Sequence, residues 1–141
     1  MGETRYINDE YQHIAQEVIE EFDELSYLRG GDIQIILLSS DAEKKKGSHL
    51  VFGVCEKIPD KYKWSIPCDF TITIFDTNIA EFSDEQLRIL IFHELLHVGV
   101  DGDRLFVREH DLEDFKEIID RFGTHWSEPG WEQMTLDDMT R

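Results

Sequence analysis

Two histidines and a glutamate are spaced so that one helix could present them to a single metal ion. The segment reads His93-Glu94-Leu95-Leu96-His97, inside an apolar run that starts at Ile89. Residues i and i+4 of a helix lie on one face, so the two imidazoles can point at a common atom. Zn²⁺ takes imidazole nitrogens at about 2.0–2.1 Å and, in catalytic sites, keeps one position for water. Glu94 would lie within reach of that water as a general base, so the pattern predicts metal-assisted hydrolysis.

A catalytic zinc site normally has three protein ligands, so a third donor must come from further along the chain. We expect His110, because imidazole suits zinc and this residue comes just before the next predicted helix. Asp103 is an alternative, since it stands at the third-ligand position of H-E-x-x-H-x-x-G-x-x-H, although Val100 replaces the glycine of that pattern. A glutamate of the following helix, Glu113 or Glu117, is a further alternative. Other downstream candidates for this ligand are Asp101, Glu109, Asp111, Asp114 and His125.

Apolar spacing predicts the elements that must hold this site. Apolar residues recur every three or four positions in helices and every two in strands. The predicted series is a helix at 8–28, strands at 33–38, 49–55 and 70–75, the site helix at 83–98, a charged turn at 101–109 and a last helix at 111–122. Ser83 and Gln86 form a capping box at the start of the site helix. Gly99 and Gly123 can end the last two helices, and Gly53 marks a bulge or a close approach to a neighbour.

This order of elements predicts an α+β fold in a single domain over residues 1–141. A small, mainly antiparallel or mixed sheet of about three strands packs against the N-terminal helix, the site helix and the C-terminal helix. The strand at 70–75 alternates aromatic or aliphatic residues with threonine and is typical of a half-buried strand. If it lies at an edge of the sheet, it could pair with an extended peptide beside the metal. Residues 124–141 show no period and are expected to be a flexible tail.

The charge of the chain narrows the range of partners. Asp and Glu number 31 against 14 Lys and Arg, which gives a formal net charge of −17. Such a surface repels phosphate backbones and anionic lipids, so nucleic acid and membranes are poor partners. Lys44, Lys45 and Lys46 interrupt this acidity. They could contact an acidic substrate, although a solvated loop tip is the simpler interpretation.

Cysteine content and apolar runs favour a soluble, cytoplasmic protein. Cys55 and Cys68 are the only cysteines and lack the C-x-x-C spacing of a zinc site, so we expect reduced thiols rather than a disulfide. Residues 1–10 lack the apolar core of a signal peptide. No apolar run approaches the ~20 residues that span a bilayer.

The residues downstream of the site helix resemble those of a known family. After H-E-L-L-H and a charged turn, the segment His110-Asp111-Leu112-Glu113-Asp114-Phe115 is similar to the H-D-x-x-[DE]-F ending of phage-type zinc metallopeptidases. The upstream order is similar too, with an N-terminal helix, a strand, a basic loop, a Gly-containing strand, a Pro-x-x-Tyr segment at 59–62 and the strand at 70–75. The resemblance extends to about Phe122. It implies a minimal zincin, similar in outline to SprT-like and WLM peptidase domains.

This resemblance implies a reaction class and leaves two rivals. His93, His97 and His110 would bind zinc, and Glu94 would catalyse hydrolysis of a peptide or protein substrate, in a bacterium or a phage-infected cell. One rival is a non-catalytic, zinc-stabilised module that binds a protein partner. The other is a zinc-dependent nuclease of the H-G-x-x-H-x-x-x-x-x-H kind, which lacks the glutamate and binds a polyanion. The glutamate and the net charge of −17 both argue against the nuclease.

Residues around the three histidines are expected to support the chemistry. Asp111 or Asp114 would accept a hydrogen bond from the far nitrogen of a ligand histidine and fix its tautomer. Arg104, Arg108 and Tyr62 are the candidates for stabilising an oxyanion.

Overall fold

The protein folds as a mixed β-sheet with helices packed on it, and the computed structural model describes residues 4–110, 115–128 and 131. The α-helices are α1 (Asp9–Glu21), α2 (Asp84–Leu96) and α3 (Lys116–Phe122), with 3-10 helices at Asp23–Leu28 and Asp60–Tyr62. The strands are β1 (Arg5–Ile7), β2 (Ile35–Ser40), β3 (Lys45–Lys46), β4 (His49–Leu50), β5 (Gly53–Lys57), β6 (Phe70–Phe75), β7 (Val98–Asp101) and β8 (Arg104–Val107). The α+β class predicted from the sequence is confirmed.

The main sheet has four strands in the order β1-β2-β6-β5, with β6 in its interior. β2 runs parallel to β6, whereas β1 and β5 pair antiparallel with their neighbours. Five of the six residues of β6 are buried, so the prediction of a half-buried strand at 70–75 is wrong. Because β6 is interior to the sheet, the condition for its pairing with a peptide is not met. Thr73, on the face expected to meet solvent, is fully buried and its hydroxyl accepts a hydrogen bond from Arg5 Nη1 at 3.2 Å. Within the described residues, the edge strands are β1 and β5.

Local elements differ from the prediction where the chain changes direction. The first helix ends at Glu21 because Phe22 is extended (φ −101°, ψ 119°), and the remaining turns form the 3-10 helix. Leu25 and Leu28 still point into the core, which explains why the apolar spacing continued to 28. The strand predicted at 33–38 lies two residues later. The strand predicted at 49–55 is split, since its first part pairs with the lysine segment to form the β3–β4 hairpin.

The core explains why the site helix is apolar on nearly all sides. All eight residues from Ile89 to Leu96 are buried, and the six apolar ones form one cluster with α1 and the inner face of the sheet. Phe22 and Phe92 stack with ring centroids 4.3 Å apart. The capping box is present, with Ser83 Oγ accepting from Gln86 N at 3.2 Å. A helical segment that is buried on all faces holds its side chains in fixed positions. Fixed positions are what a catalytic or metal-binding site requires of the side chains that form it.

The chain reverses directly after α2 through the β7–β8 hairpin, where a charged turn was predicted. Gly99 does not end the helix, because His97 is the C-cap and Gly99 lies in β7. A Cβ at Gly99 would come within 2.4 Å of the Phe106 ring, so this glycine allows the two strands to close. The last helix begins at Lys116, and the predicted residues 111–114 lie outside the described residues. Gly123 (φ 77°) ends this helix as predicted.

The cysteines and the helices bear on two further predictions. Cys55 and Cys68 are both buried and free, as expected for reduced thiols. In the described part of the chain, no helix is long and apolar enough to cross a bilayer. Residues 124–128, assigned to a tail, contact the start of α2, where Gln86 Nε2 donates to the carbonyls of Trp126 (2.9 Å) and Glu128 (2.6 Å).

Candidate metal centre

Three histidine side chains converge where α2 ends. His93 lies in the last turn of α2, His97 caps the helix, and His110 follows β8 on the returning chain. One ring nitrogen of each can be chosen so that all three lie within 4.8 Å of one another. The Nε2 atoms of His93 and His110 are 3.0 Å apart. The structure thus brings together the three histidines singled out in the sequence.

This donor set fits a transition-metal ion such as zinc. Two nitrogens at about 2.05 Å from a tetrahedral ion are roughly 3.3 Å apart, close to the 3.0 Å between His93 and His110. Two imidazole nitrogens at that distance either share one proton or turn both lone pairs towards one cation. Among the described residues, the cluster of possible ligands consists of these three histidines. Three protein ligands leave the fourth tetrahedral position to a water or a substrate oxygen.

A backbone carbonyl sets the tautomer of His97. The Nδ1 atom of His97 lies 2.7 Å from the carbonyl oxygen of Arg108, and Arg108 N donates to the His97 carbonyl at 2.6 Å. Because a carbonyl oxygen only accepts, Nδ1 carries the proton and the lone pair of His97 is on Nε2. The carboxylates predicted for this kind of role, Asp111 and Asp114, lie outside the described residues. Sequence reasoning missed Arg108 in this role because a backbone acceptor has no residue-type signal.

An aromatic ring and an ion pair hold the three imidazoles in place. The centroid of the buried Phe115 ring lies 5.3, 4.8 and 5.0 Å from those of His93, His97 and His110. The guanidinium of Arg108 lies 4.6 Å from the Phe115 centroid and donates to both carboxylate oxygens of Glu117, at 2.9 and 3.2 Å. Glu117 was an alternative third ligand; its carboxylate is bound to Arg108. The ion pair joins the two ends of the segment that carries His110.

Glu94 is the buried carboxylate of the site. Its side chain is 4% exposed, and its Oε2 and Oε1 atoms lie 3.8 and 4.0 Å from the Nε2 atoms of His93 and His97. These separations allow one small molecule to contact both the carboxylate and a shared ligand atom. Gly53 of β5 lies against this side chain, since a Cβ there would be 3.2 Å from Glu94 Cγ. The close approach predicted for Gly53 is confirmed, and Glu94 is the neighbour.

Two residues beside the site are held in uncharged forms. Burial, and to a lesser extent the negative charge of Glu94, raises the pKa of the Cys55 thiol well above its usual value. Cys55 therefore stays protonated. Burial also raises the pKa of Tyr27 to about 12. The Tyr27 hydroxyl donates to the carbonyl of Val98 at 2.7 Å, with the Leu95 carbonyl at 3.4 Å, and so supports the end of α2. The sequence contained no signal for this contact between distant segments.

The alternative third ligand Asp103 and the three oxyanion candidates have other positions or other partners in the structure. Asp103 is in the turn of the β7–β8 hairpin and lines a separate pocket of about 160 Å³ together with Arg104 and Lys57. Arg108 is engaged by Glu117, and Tyr62 lies in the 3-10 helix after β5, 46% exposed. The geometry therefore assigns none of Arg104, Arg108 and Tyr62 to an oxyanion.

Comparison with known proteins gives one match. A family model described as "Putative phage metallopeptidase" matches residues 4–137. No curated protein and no solved structure matched the chain. The matched range extends beyond Phe122, where the resemblance noted from the sequence stopped, and takes in most of the C-terminal segment.

Proposed function

The chain belongs to the phage metallopeptidase family, and from this premise we propose that it hydrolyses peptide bonds with a zinc ion held by His93, His97 and His110. One observation carries the proposal: three imidazoles converge within 4.8 Å, and a buried carboxylate lies 3.8–4.0 Å from two of them. We propose further that helix α2 under a mixed sheet is the minimal zincin arrangement. The proposed location is cytoplasmic.

Each residue of the site has a defined role in this proposal. Zinc, when bound, would supply a Lewis acid that polarises the scissile carbonyl and makes a coordinated water more acidic. Glu94 accepts a proton from the attacking water, the remaining hydroxide adds to the carbonyl carbon, and Glu94 returns that proton to the departing amine nitrogen. The Arg108 carbonyl holds His97 in the tautomer that presents Nε2. Burial of Glu94 excludes bulk water from the proton it carries.

The edge strand β5 is the place where we expect a peptide substrate to lie. Phe52 and Ile58, on either side of this strand, hydrogen-bond to Phe75 and Asp69 at the two ends of β6. Antiparallel pairing alternates, so the amide groups of Gly53, Cys55 and Lys57 face away from β6. An extended peptide could pair with those groups, and Gly53 would bring its backbone beside Glu94. We therefore propose β5, and not the strand at 70–75, as the strand that pairs with an extended peptide substrate.

The first test separates chemistry from metal binding. Glu94→Gln should retain zinc and lose cleavage of a broad peptide library by at least about 100-fold, because only the proton acceptor is removed. Zinc content is measured by mass spectrometry and cleavage by product analysis. If wild type and variant cleave equally, or neither cleaves, the peptidase proposal fails. In the second case, with zinc still bound, the protein would be a zinc-stabilised binding module.

A second test concerns the third ligand. His110→Ala should lower zinc content, whereas Asp103→Ala should leave it unchanged, because Asp103 lies in the turn of the neighbouring hairpin. The two variants are matched, since each removes one possible ligand from the segment after α2. Full zinc occupancy in His110→Ala would overturn the proposed ligand set.

A further inference from the structure

The lysines of this acidic chain are concentrated in one stretch. Six of the seven lysines lie between residues 44 and 63. With two acidic residues, Glu56 and Asp60, the stretch carries a net charge of +4 in a chain of −17. It contains the β3–β4 hairpin, the edge strand β5 and the loop that follows β5. Positive charge therefore lies at both ends of the strand beside the candidate site.

The charges at the two ends of β5 are used differently. At the far end of β5, the strand's last residue Lys57 lies 3.6 Å from Asp60 of the following loop. Lys63 of that loop lies 3.5 Å from Asp60 and 3.0 Å from Asp69. These ion pairs neutralise much of the loop. In the hairpin, Lys45 and Lys46 are exposed, and no carboxylate of the described residues lies within ion-pair distance of either ammonium. The uncompensated positive charge is thus on the hairpin.

The hairpin is anchored close to the candidate catalytic residue. Asn78 Nδ2 donates to the carbonyls of Lys44 (2.9 Å) and Val51 (2.8 Å), and Val51 N donates to the Lys44 carbonyl at 3.0 Å. These bonds fix the base of the hairpin, and the chain then reaches Gly53, which contacts Glu94. Asn78 lies in the turn that follows β6, and its N donates to the Phe75 carbonyl at 2.9 Å, so the anchor joins the hairpin to the end of the interior strand of the sheet.

The distance from the hairpin to the site corresponds to a few residues of peptide. Lys45 pairs with Leu50, and the three residues from Leu50 to Gly53 span at most about 11 Å when extended. Adding the roughly 5 Å between paired strands puts Lys45 within about 16 Å of Gly53. An extended peptide covers that distance in about five residues. Side chains of a substrate lying beside β5 would therefore come within reach of the hairpin lysines.

We propose that the β3–β4 hairpin is a binding arm for acidic side chains, so that the preferred substrates are peptides with Asp or Glu on the hairpin side of the scissile bond, up to about five residues away. This inference rests on the proposed function, since it assigns a substrate class to the same site. The strong negative charge of the chain repels acidic peptides in general. A local patch of uncompensated lysine reverses that repulsion within a screening length of about 8–10 Å, and it does so only near the site.

Binding to a catalytically silenced protein tests this preference without requiring turnover. Zinc-loaded Glu94→Gln protein is titrated with three labelled 12-residue peptides that alternate Ala with Glu, Gln or Lys. The Glu peptide should bind about threefold to tenfold more tightly than the Gln peptide, as expected for two exposed ion pairs of up to about fivefold each. Adding Lys45→Gln and Lys46→Gln should abolish this difference. The matched control, Lys61→Gln with Arg88→Gln, has the same net charge and should retain it.

Each outcome bears on one proposal. A preference that disappears only in the hairpin variant, and that shrinks at 300 mM salt, supports the binding arm. Equal binding of the Glu and Gln peptides, or an equal loss in the control variant, overturns it. Cleavage of peptides by wild type without an acidic preference would leave the peptidase proposal intact and refute the arm. An acidic binding preference in a protein that never cleaves would refute the peptidase proposal and leave the binding of acidic side chains by the hairpin intact.

Discussion

Gly53→Ala tests whether the edge strand sets the position of the proposed general base. The added Cβ would lie 3.2 Å from Glu94 Cγ, 3.3 Å from Cδ and 3.3 Å from Oε2. Comfortable contacts between carbon atoms begin near 3.5 Å, so the carboxylate must move by about 0.3–0.5 Å. Because Glu94 is a buried residue, 3% exposed as a whole, this movement displaces the carboxylate from its working position.

The size of the expected effect follows from this displacement. A misplacement of about 1 Å can cost a factor of roughly 100 in rate, so half that distance should lower kcat by roughly tenfold. Stability should change little, because tight packing costs about 1 kcal/mol while replacing glycine in a strand recovers roughly 0.5–1 kcal/mol. The histidines are not touched, so zinc content should stay at the wild-type value.

The assay measures kcat on a fluorogenic peptide, zinc content and the thermal midpoint. Val54→Ala is the matched control, because neighbouring residues of a strand point to opposite faces and Val54 faces away from Glu94. Combining Gly53→Ala with Glu94→Gln should add no further loss, since the carboxylate through which Gly53 acts has already been removed. A wild-type kcat in Gly53→Ala, or a loss of zinc from it, would refute the reasoning.

Three further predictions concern the supports of the site and the fold. Glu117→Gln should weaken zinc binding about threefold to tenfold in a chelator competition, because Arg108 loses the ion pair that closes the His110 segment; unchanged affinity would contradict this. Arg121 holds the pKa of the Glu24 carboxyl below its usual value, so this pair stabilises the fold above about pH 4.5 and is lost as the pH falls through the lowered pKa. Glu24→Gln should thus be less stable than wild type by about 0.5 kcal/mol or less in urea unfolding at pH 7, and the difference should shrink as the pH is lowered below 4.5. Removing metal with a chelator should lower the thermal midpoint, with recovery on adding zinc, because the ion would join α2 to the returning chain; His97→Ala should show neither response.

The part of the site that lies on a single helix could be predicted from the close spacing of its residues in the sequence. His93, Glu94 and His97 share a helix, and a helix of any protein places i and i+4 on one face. The capping box that starts this helix is equally local, and the sequence predicts it correctly. The cap of α1 is local in the same way, since Asn8 Oδ1 accepts a hydrogen bond from Tyr11 N at 3.0 Å. Short-range rules work here because each involves residues within one helical turn.

Strand order and strand boundaries depended on the tertiary structure. An alternating pattern predicts which residues of a strand face the core, but it does not say what covers the other face or which strands are neighbours. It therefore predicts a half-buried strand for β6, which is buried at five of its six positions and interior to the sheet. The strand at the edge of the sheet beside the site is β5, so we expect a substrate to bind along β5. The position of Gly99 after an apolar helical run predicts a helix end, whereas in the structure Gly99 makes room for the Phe106 ring across a hairpin. The Phe106 ring is seven residues away in the sequence and comes close to Gly99 only in the folded hairpin, so the sequence does not show why a glycine is required there.

The sequence alone therefore determined the chemistry that this protein offers: two imidazoles and a carboxylate on a buried helix, with His110 as the expected third donor. Only the tertiary structure decided how that chemistry is held, with the Arg108 carbonyl on His97 and the Phe115 ring packed against all three imidazoles. The physical reason is that residue types and short spacings are written in the chain. Backbone acceptors, ring contacts and strand neighbours arise from long-range pairing, which depends on the free energy of the whole fold.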